Sequence, residues 1–194
     1  MKLFGITGGV GMGKSTCGRL LEQQGVAVLD TDLLARQVVQ PGEPALAEVR
    51  AAFGGDFFSP DGRLERDKLA AVIFADAAAR ARLEAILHPR IHALWRAQVE
   101  KWRKESRRAA AVVIPLLFET GVQPEFEAII CVACSAATQG RRLAQRGWTA
   151  DESSQRIAAQ WPVARKMQHA DFVIWTEGGE EVHAAQLKRI LSLS

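Results

Sequence analysis

Apolar positions along the chain fall into five short runs separated by stretches with helical spacing. The first run, residues 2–7 (KLFGIT), reads as a strand and leads into a glycine-rich turn. Beyond the turn, Cys17, Leu20 and Leu21 keep the spacing of a helix, with Gly25 placed as its C-terminal cap. Residues 26–29 (VAVL) are almost continuously apolar, as expected of a parallel strand buried on both faces. A strand, turn, helix and second strand in such quick succession predict an α/β fold with a parallel sheet.

From Leu33 to about Arg108 the spacing is helical and no strand stands out. Pro41-Gly42 and Ser59-Pro60-Asp61-Gly62 mark turns. Residues 64–74 and 77–87 read as helices, and Pro89 is expected to open a further helix running towards Glu105. So long a helical stretch exceeds a simple crossover and predicts an inserted helical lobe. Three more apolar runs predict strands at 109–118 (AAAVVIPLLF), 127–133 (EAIICVA) and 171–175 (DFVIW). Between the last two lies an arginine-rich helical piece, 136–168. Within it Thr149-Ala150-Asp151-Glu152 has the form of a capping box. Residues 181–191 read as a closing helix.

Composition narrows the class. The 194 residues correspond to one domain of roughly 150 residues with room for a small lobe. Hydrophobic residues at 48% and charged residues at 24% exclude disordered and collagen-like chains. No run approaches the ~18 apolar residues of a membrane span, and the first residues are too short for a signal peptide, so a cytoplasmic protein is expected. Lys and Arg number 25 against 22 Asp and Glu, a net +3. That balance suits an anionic small molecule, and without a long basic run it gives little reason to expect nucleic acid. Three cysteines imply no disulfide framework.

The chemistry begins at Gly8-Gly9-Val10-Gly11-Met12-Gly13-Lys14-Ser15, which satisfies G-x-x-x-x-G-K-[ST] between a strand and a helix. Glycines let the backbone curl until successive N–H groups point at phosphate oxygens. The helix N-terminus adds positive potential, Lys14 a point charge, and Ser15 a hydroxyl able to ligate Mg²⁺. A plain glycine turn and a dinucleotide site, with Asp30 as its acid, are the alternatives. The second fits poorly, because Lys14 would crowd the close packing that motif needs.

Asp30 and Asp32 lie at the carboxyl end of the second strand, the edge where parallel sheets bind ligands. Asp32 is the candidate general base for an attacking hydroxyl, although both acids could equally be turn and cap residues. Arg142 and Arg146 are four apart, with Arg141, Arg156 and Arg165-Lys166 nearby. An arginine on a mobile flap can stabilise a transferring phosphoryl group, whereas a solvated helix face is the plainer reading. Glu119, placed at the end of the third strand, could address Mg²⁺ through water, contact the acceptor, or merely accept a backbone N–H. Cys131 and Cys134 match C-x-x-C, but on a strand they would face opposite ways. His88 and His92, with Glu84, would suit a metal only on a continuous helix. With Pro89 expected to break it, His88 is read as shaping or capping the site.

Taken together, these stretches resemble the dephospho-CoA kinase family. The resemblance rests on GITGGVGMGKST (5–16), LDTDLLARQVVQPG (29–42), GRLER (62–66), LHPRI (87–91), IPLLFE (114–119), TQGRRLAQR (138–146), Gln160 and KMQHADFVI (166–174). It implies a P-loop kinase with a five-stranded parallel sheet flanked by helices. A core of 1–34, 108–137 and 167–194, a helical substrate lobe of 35–107 and a lid of 138–166 are expected. The implied reaction is ATP-dependent phosphorylation of the ribose 3′-hydroxyl of dephospho-CoA, with ATP and Mg²⁺ as cofactors. Gly9, Gly11, Met12, Gly13, Lys14, Ser15, Thr16, Arg142 and Arg146 would bind nucleotide, with Ser15 on the metal. Asp32, Lys14 and Arg142 would be catalytic. Asp32, Arg36, Arg66, His88, Leu117 and Glu119 would meet the acceptor. The implied partner is that small molecule, with neither nucleic acid nor membrane, and a monomer is favoured. Two departures stand out. Thr176 occupies a place where the family often has Asn, which could loosen or remodel purine contacts. Gly140 would loosen the lid helix, at about 1 kcal/mol against Ala.

Overall fold

In the computed structural model, which describes residues 1–193, the five apolar runs form one parallel sheet. Its strands are β1 (Lys2–Gly8), β2 (Ala27–Asp30), β3 (Ala109–Val113), β4 (Ala128–Ala133) and β5 (Phe172–Trp175), in the order β2-β3-β1-β4-β5. β1 is central, with Phe4 opposite Ala111 on one side and Ala128 on the other. β4 is buried throughout, as a strand covered on both faces must be.

Two strand expectations need correction. β2 is an edge strand and each of its residues is only half-buried, so its apolar run does not mark burial on both faces. β3 ends at Val113 rather than 118. The Ile114 N–H still reaches the Ile6 carbonyl at 2.8 Å, but Pro115 has no N–H with which to continue the ladder. The chain then turns, with Thr120 N–H bonded to Leu116 O at 2.9 Å, and Glu119 lies in that turn instead of on a strand.

The helices are α1 (Lys14–Gln23), α2 (Thr31–Gln37), α3 (Pro44–Phe53), α4 (Arg66–Ala75), α5 (Ala77–Lys104), α6 (Ala136–Gln145), α7 (Ala150–Ala158), α8 (Val163–His169) and α9 (Glu180–Ser192). Leu20 and Leu21 of α1 and Leu187 and Ile190 of α9 close the core over Phe4 and Ile6. Each such side chain is worth about 1.5–3 kcal/mol when fully buried. Val163 and Met167 of α8 pack with Met12, Ala133 and Cys134 in a second cluster.

The chain divides into two compact units. One joins residues 1–30 to those from Val99 onward, and includes 138–166; the other is Thr31–Gln98. The second unit holds α2, α3, α4 and most of α5. Within it Phe53 meets Phe57 edge-on at 6.4 Å, and the Arg50 guanidinium lies 4.1 Å from the Phe58 ring centroid. Pro89 does not open a new helix: α5 runs unbroken through it. Proline removes one helical hydrogen bond and crowds the preceding turn. Here Arg90 donates to the Ile86 carbonyl at 2.7 Å in that turn, and Ile91, Trp95, Val99 and Trp102 continue one buried stripe past it.

Candidate active site

The loop after β1 is shaped by glycine. Gly8 has φ 143°, and a Cβ there would lie 2.1 Å from the Val132 carbonyl oxygen. Gly11 has φ 75°, and its Cβ would lie 2.8 Å from Leu143 Cδ2. No other residue allows the chain to pass so close to β4 and α6 while curling. Gly13 then caps α1 without a side-chain hydrogen bond, and the first intrahelical bond runs from Cys17 N–H to Gly13 O at 3.0 Å. Lys14, Ser15 and Thr16 therefore occupy the first turn, where amides point outward along the helix dipole and favour an anion. The Ser15 side chain is exposed and Thr16 half-buried. Lys14 Nζ folds back to donate to the Gly8 and Gly9 carbonyls, 2.9 Å each.

The loop is also clamped from outside. The Val10 N–H donates to Gln160 Oε1 at 3.1 Å, while the Val10 carbonyl accepts from Gln139 Nε2 at 2.8 Å. Met12 is buried and its carbonyl accepts from the Thr176 hydroxyl at 3.0 Å. Arg142 makes a two-pronged contact with Thr176, to Oγ1 at 2.8 Å and to the carbonyl at 2.7 Å. Its guanidinium passes 3.7 Å from the point a Cβ on Gly13 would occupy. Nearby, Glu177 accepts from Ser135 N–H at 2.8 Å and from the Thr138 hydroxyl at 2.9 Å. Hydrogen bonds from Ser135, then Thr138, and the charge of Arg142 bring the Glu177 carboxyl down to about 2.

The structure thus gathers Gly9, Gly11, Met12, Gly13, Lys14, Ser15, Thr16 and Arg142 around one helix N-terminus. α6 ends at Gln145, so Arg146 falls at its cap, exposed, with its guanidinium 6.0 Å from the Trp148 ring centroid. Within α6, Thr138, Gln139 and Leu143 are buried. A Cβ on Gly140 would meet nothing within 4 Å.

Of the acceptor residues, Leu117 is wholly buried, its Cδ1 2.6 Å from where a Cβ on Gly5 would sit. Its side chain packs in the core beneath β1. Glu119 Oε1 accepts the Trp161 N–H at 2.8 Å and pairs with Lys166 Nζ at 2.8 Å. Lys166 is fully buried and also donates to the Pro115 carbonyl at 2.6 Å. The sequence places Lys166 among the cations of the arginine-rich piece without its Glu119 partner, and it does not show Gln139 and Gln160 gripping Val10. Nothing in local spacing distinguishes them from surface residues.

The remaining candidates belong to the second unit. Asp32 is exposed in the first turn of α2, which begins directly after β2, and Arg36 lies one turn later on the same helix face. Arg66 is the first residue of α4 and exposed. His88 stacks parallel to His92, ring centroids 6.3 Å apart, on the continuous helix α5. Even so, no group of three or more His, Cys, Asp or Glu fit to hold a metal occurs among the described residues. All three cysteines are free and buried, and burial pushes Cys17 up to about 12 and Cys131 up to about 11, as inert thiols.

The dephospho-CoA kinase family model matches residues 2–181. This chain belongs to the dephospho-CoA kinase family. The dephospho-CoA kinase of Anaeromyxobacter dehalogenans is 40% identical over 193 residues, covering 99% of this chain and 92% of the relative. The crystal structure of TT1252 from Thermus thermophilus matches with a TM-score of 0.82 at 32% identity, covering 99% of this chain and 97% of that one. A dephospho-CoA kinase from Campylobacter jejuni, at 22% identity, shares the fold with a TM-score of 0.70 over 99% and 96% of the two chains. As a dephospho-CoA kinase family member the chain is a transferase that binds ATP.

Proposed function

We propose that this chain transfers the γ-phosphoryl group of ATP to the ribose 3′-hydroxyl of dephospho-CoA, giving coenzyme A and ADP. Family membership supports the reaction, and the glycine loop clamped around the first turn of α1 is the observation that carries the mechanism. Phosphoryl transfer leaves a protein little covalent chemistry, so catalysis is mostly positioning and charge. Lys14, whose Nζ donates to two loop carbonyls, supplies the positive charge that meets the β- and γ-phosphates. Arg142, fixed beside Gly13, offsets negative charge on the group in transit.

The donor set fits Mg²⁺. Ser15 presents an exposed hydroxyl at the helix N-terminus, and no carboxylate cage competes with it among the described residues. Magnesium is commonly held by one or two protein oxygens plus substrate phosphates. Bound there, it would neutralise phosphate charge.

Asp32 accepts the proton of the 3′-hydroxyl as that oxygen bonds to the γ-phosphorus and the bond to the ADP oxygen breaks. Its place one residue beyond the first of α2, just past the carboxyl end of β2, is the position that ligands of parallel sheets approach. The test is Asp32→Asn in steady-state kinetics. The expected outcome is a kcat lowered about 10²–10⁴-fold with the KM for ATP little changed, the worth of a general base. An unaltered kcat removes Asp32 from the mechanism.

A further inference from the structure

We propose that Thr176 is a positioning residue: with its hydroxyl proton committed to the Met12 carbonyl, it fixes the Arg142 guanidinium beside the phosphate loop in a single arrangement. This rests on the reading of Arg142 as a nucleotide-site residue. A threonine hydroxyl has one proton and two lone pairs. Here the proton goes to the Met12 carbonyl at 3.0 Å, and a lone pair takes Arg142 Nη1 at 2.8 Å. The Thr176 carbonyl takes Arg142 Nη2 at 2.7 Å, so both prongs of the fork end on one residue. A lysine has no such planar fork.

Thr176 itself cannot drift. Its N–H bonds to the carbonyl of Ala133, the last residue of β4, at 2.8 Å, and it is 1% exposed. Its methyl carbon lies 3.5 Å from the position of a Cβ on Gly13, so it backs the loop where α1 begins. The sheet, the phosphate loop and α6 are therefore tied together through one side chain. Buried from water, the hydroxyl has no solvent substitute, and its loss leaves the Met12 carbonyl without that donor.

The test is a double-mutant cycle on kcat/KM for ATP, with Thr176→Val, Arg142→Ala and the pair, plus Thr176→Ser. Valine keeps the shape and loses the hydroxyl; serine keeps the hydroxyl and loses the methyl. Thr176→Val is expected to lower kcat/KM about tenfold, the scale of a hydrogen bond to a charged group. Serine is expected to recover it to within about threefold. In the Arg142→Ala background, Thr176→Val is expected to cost no more than about twofold, the sign of two residues acting as one. Should the valine variant not fold, Thr176→Ala carries the same comparison.

A full tenfold loss in the Arg142→Ala background would overturn the proposal, because Thr176 would then act through the fold alone. Wild-type kcat/KM in Thr176→Val, with Arg142→Ala impaired, would overturn it while leaving Arg142 in the site. Wild-type kcat/KM in Arg142→Ala would remove the reading of Arg142, and the proposal with it.

Discussion

Helices α6 and α7 follow one another, both open on a hydroxyl cap, and both carry arginines, yet they are held in different ways. α6 is seated by non-local contacts. Leu143 is fully buried against Gly11, Gln139 holds Val10, Arg142 holds Thr176, and Glu177 ties its first turn to the end of β5. α7 has no buried residue, and its first turn is set by a complete capping box between Thr149 and Glu152. Arg156 lies 4.1 Å from the Trp148 ring centroid, worth about 0.5–1 kcal/mol at an exposed site. α7 is therefore an arch between two fastened ends, α6 on one side and Gln160, Trp161 and Lys166 on the other. Regions with few buried contacts open locally at low free energy. The contrast teaches that an arginine's role follows from what holds its helix: Arg142 is pre-placed, while Arg146 and Arg156 flank Trp148.

Cutting the far anchor should have the largest effect on this contrast. Lys166→Met leaves Glu119 without its buried partner, and losing one member of such a pair costs about 3–5 kcal/mol. Urea unfolding should show the midpoint fall accordingly; an unchanged midpoint would mean that Lys166 does not fasten the arch. Removing the cap of α7 should be milder and local. Thr149→Ala should cost about 1 kcal/mol, read as faster amide exchange across 150–158 with α6 unaffected. Equal acceleration in both helices would erase the distinction drawn between them.

The smallest effect concerns the seat of α6 in acid. The Glu177 carboxyl titrates near 2 in the folded chain against an ordinary 4.5. A depressed carboxyl stabilises the fold above its unfolded pKa, and that contribution disappears as pH falls from 4.5 through about 2. Glu177→Gln should therefore lose stability less steeply than the parent chain within that window, and match its slope above it. Parallel curves throughout would show that Glu177 contributes nothing through its charge.

The strand, glycine turn and helix of the phosphate loop were legible because that information is local: an apolar run, glycines at fixed offsets, then Lys14 and Ser15. The capping box of α7 was legible for the same reason. What escaped depended on partners distant in sequence. β2 reads as a buried strand, and only the strand order shows it at an edge. Pro89 reads as a helix start, yet the buried stripe of α5 carries the helix through it. The run 109–118 hides the end of β3, because the turn after Pro115 is as apolar as the strand before it. Lys166 looks like a surface lysine until Glu119 and Pro115 close over it. Thr176 stands out only as a departure from its family, and its contacts with Met12 and Arg142 emerge from the fold.

The central claim is that the clamped glycine loop presents ATP to the 3′-hydroxyl of dephospho-CoA. It is tested most directly by coupled ADP release, comparing dephospho-CoA with coenzyme A as acceptor. The account predicts rapid ADP formation with the first and none above background with the second, whose 3′-position already carries a phosphate. Equal release with both acceptors, or with neither, would contradict it.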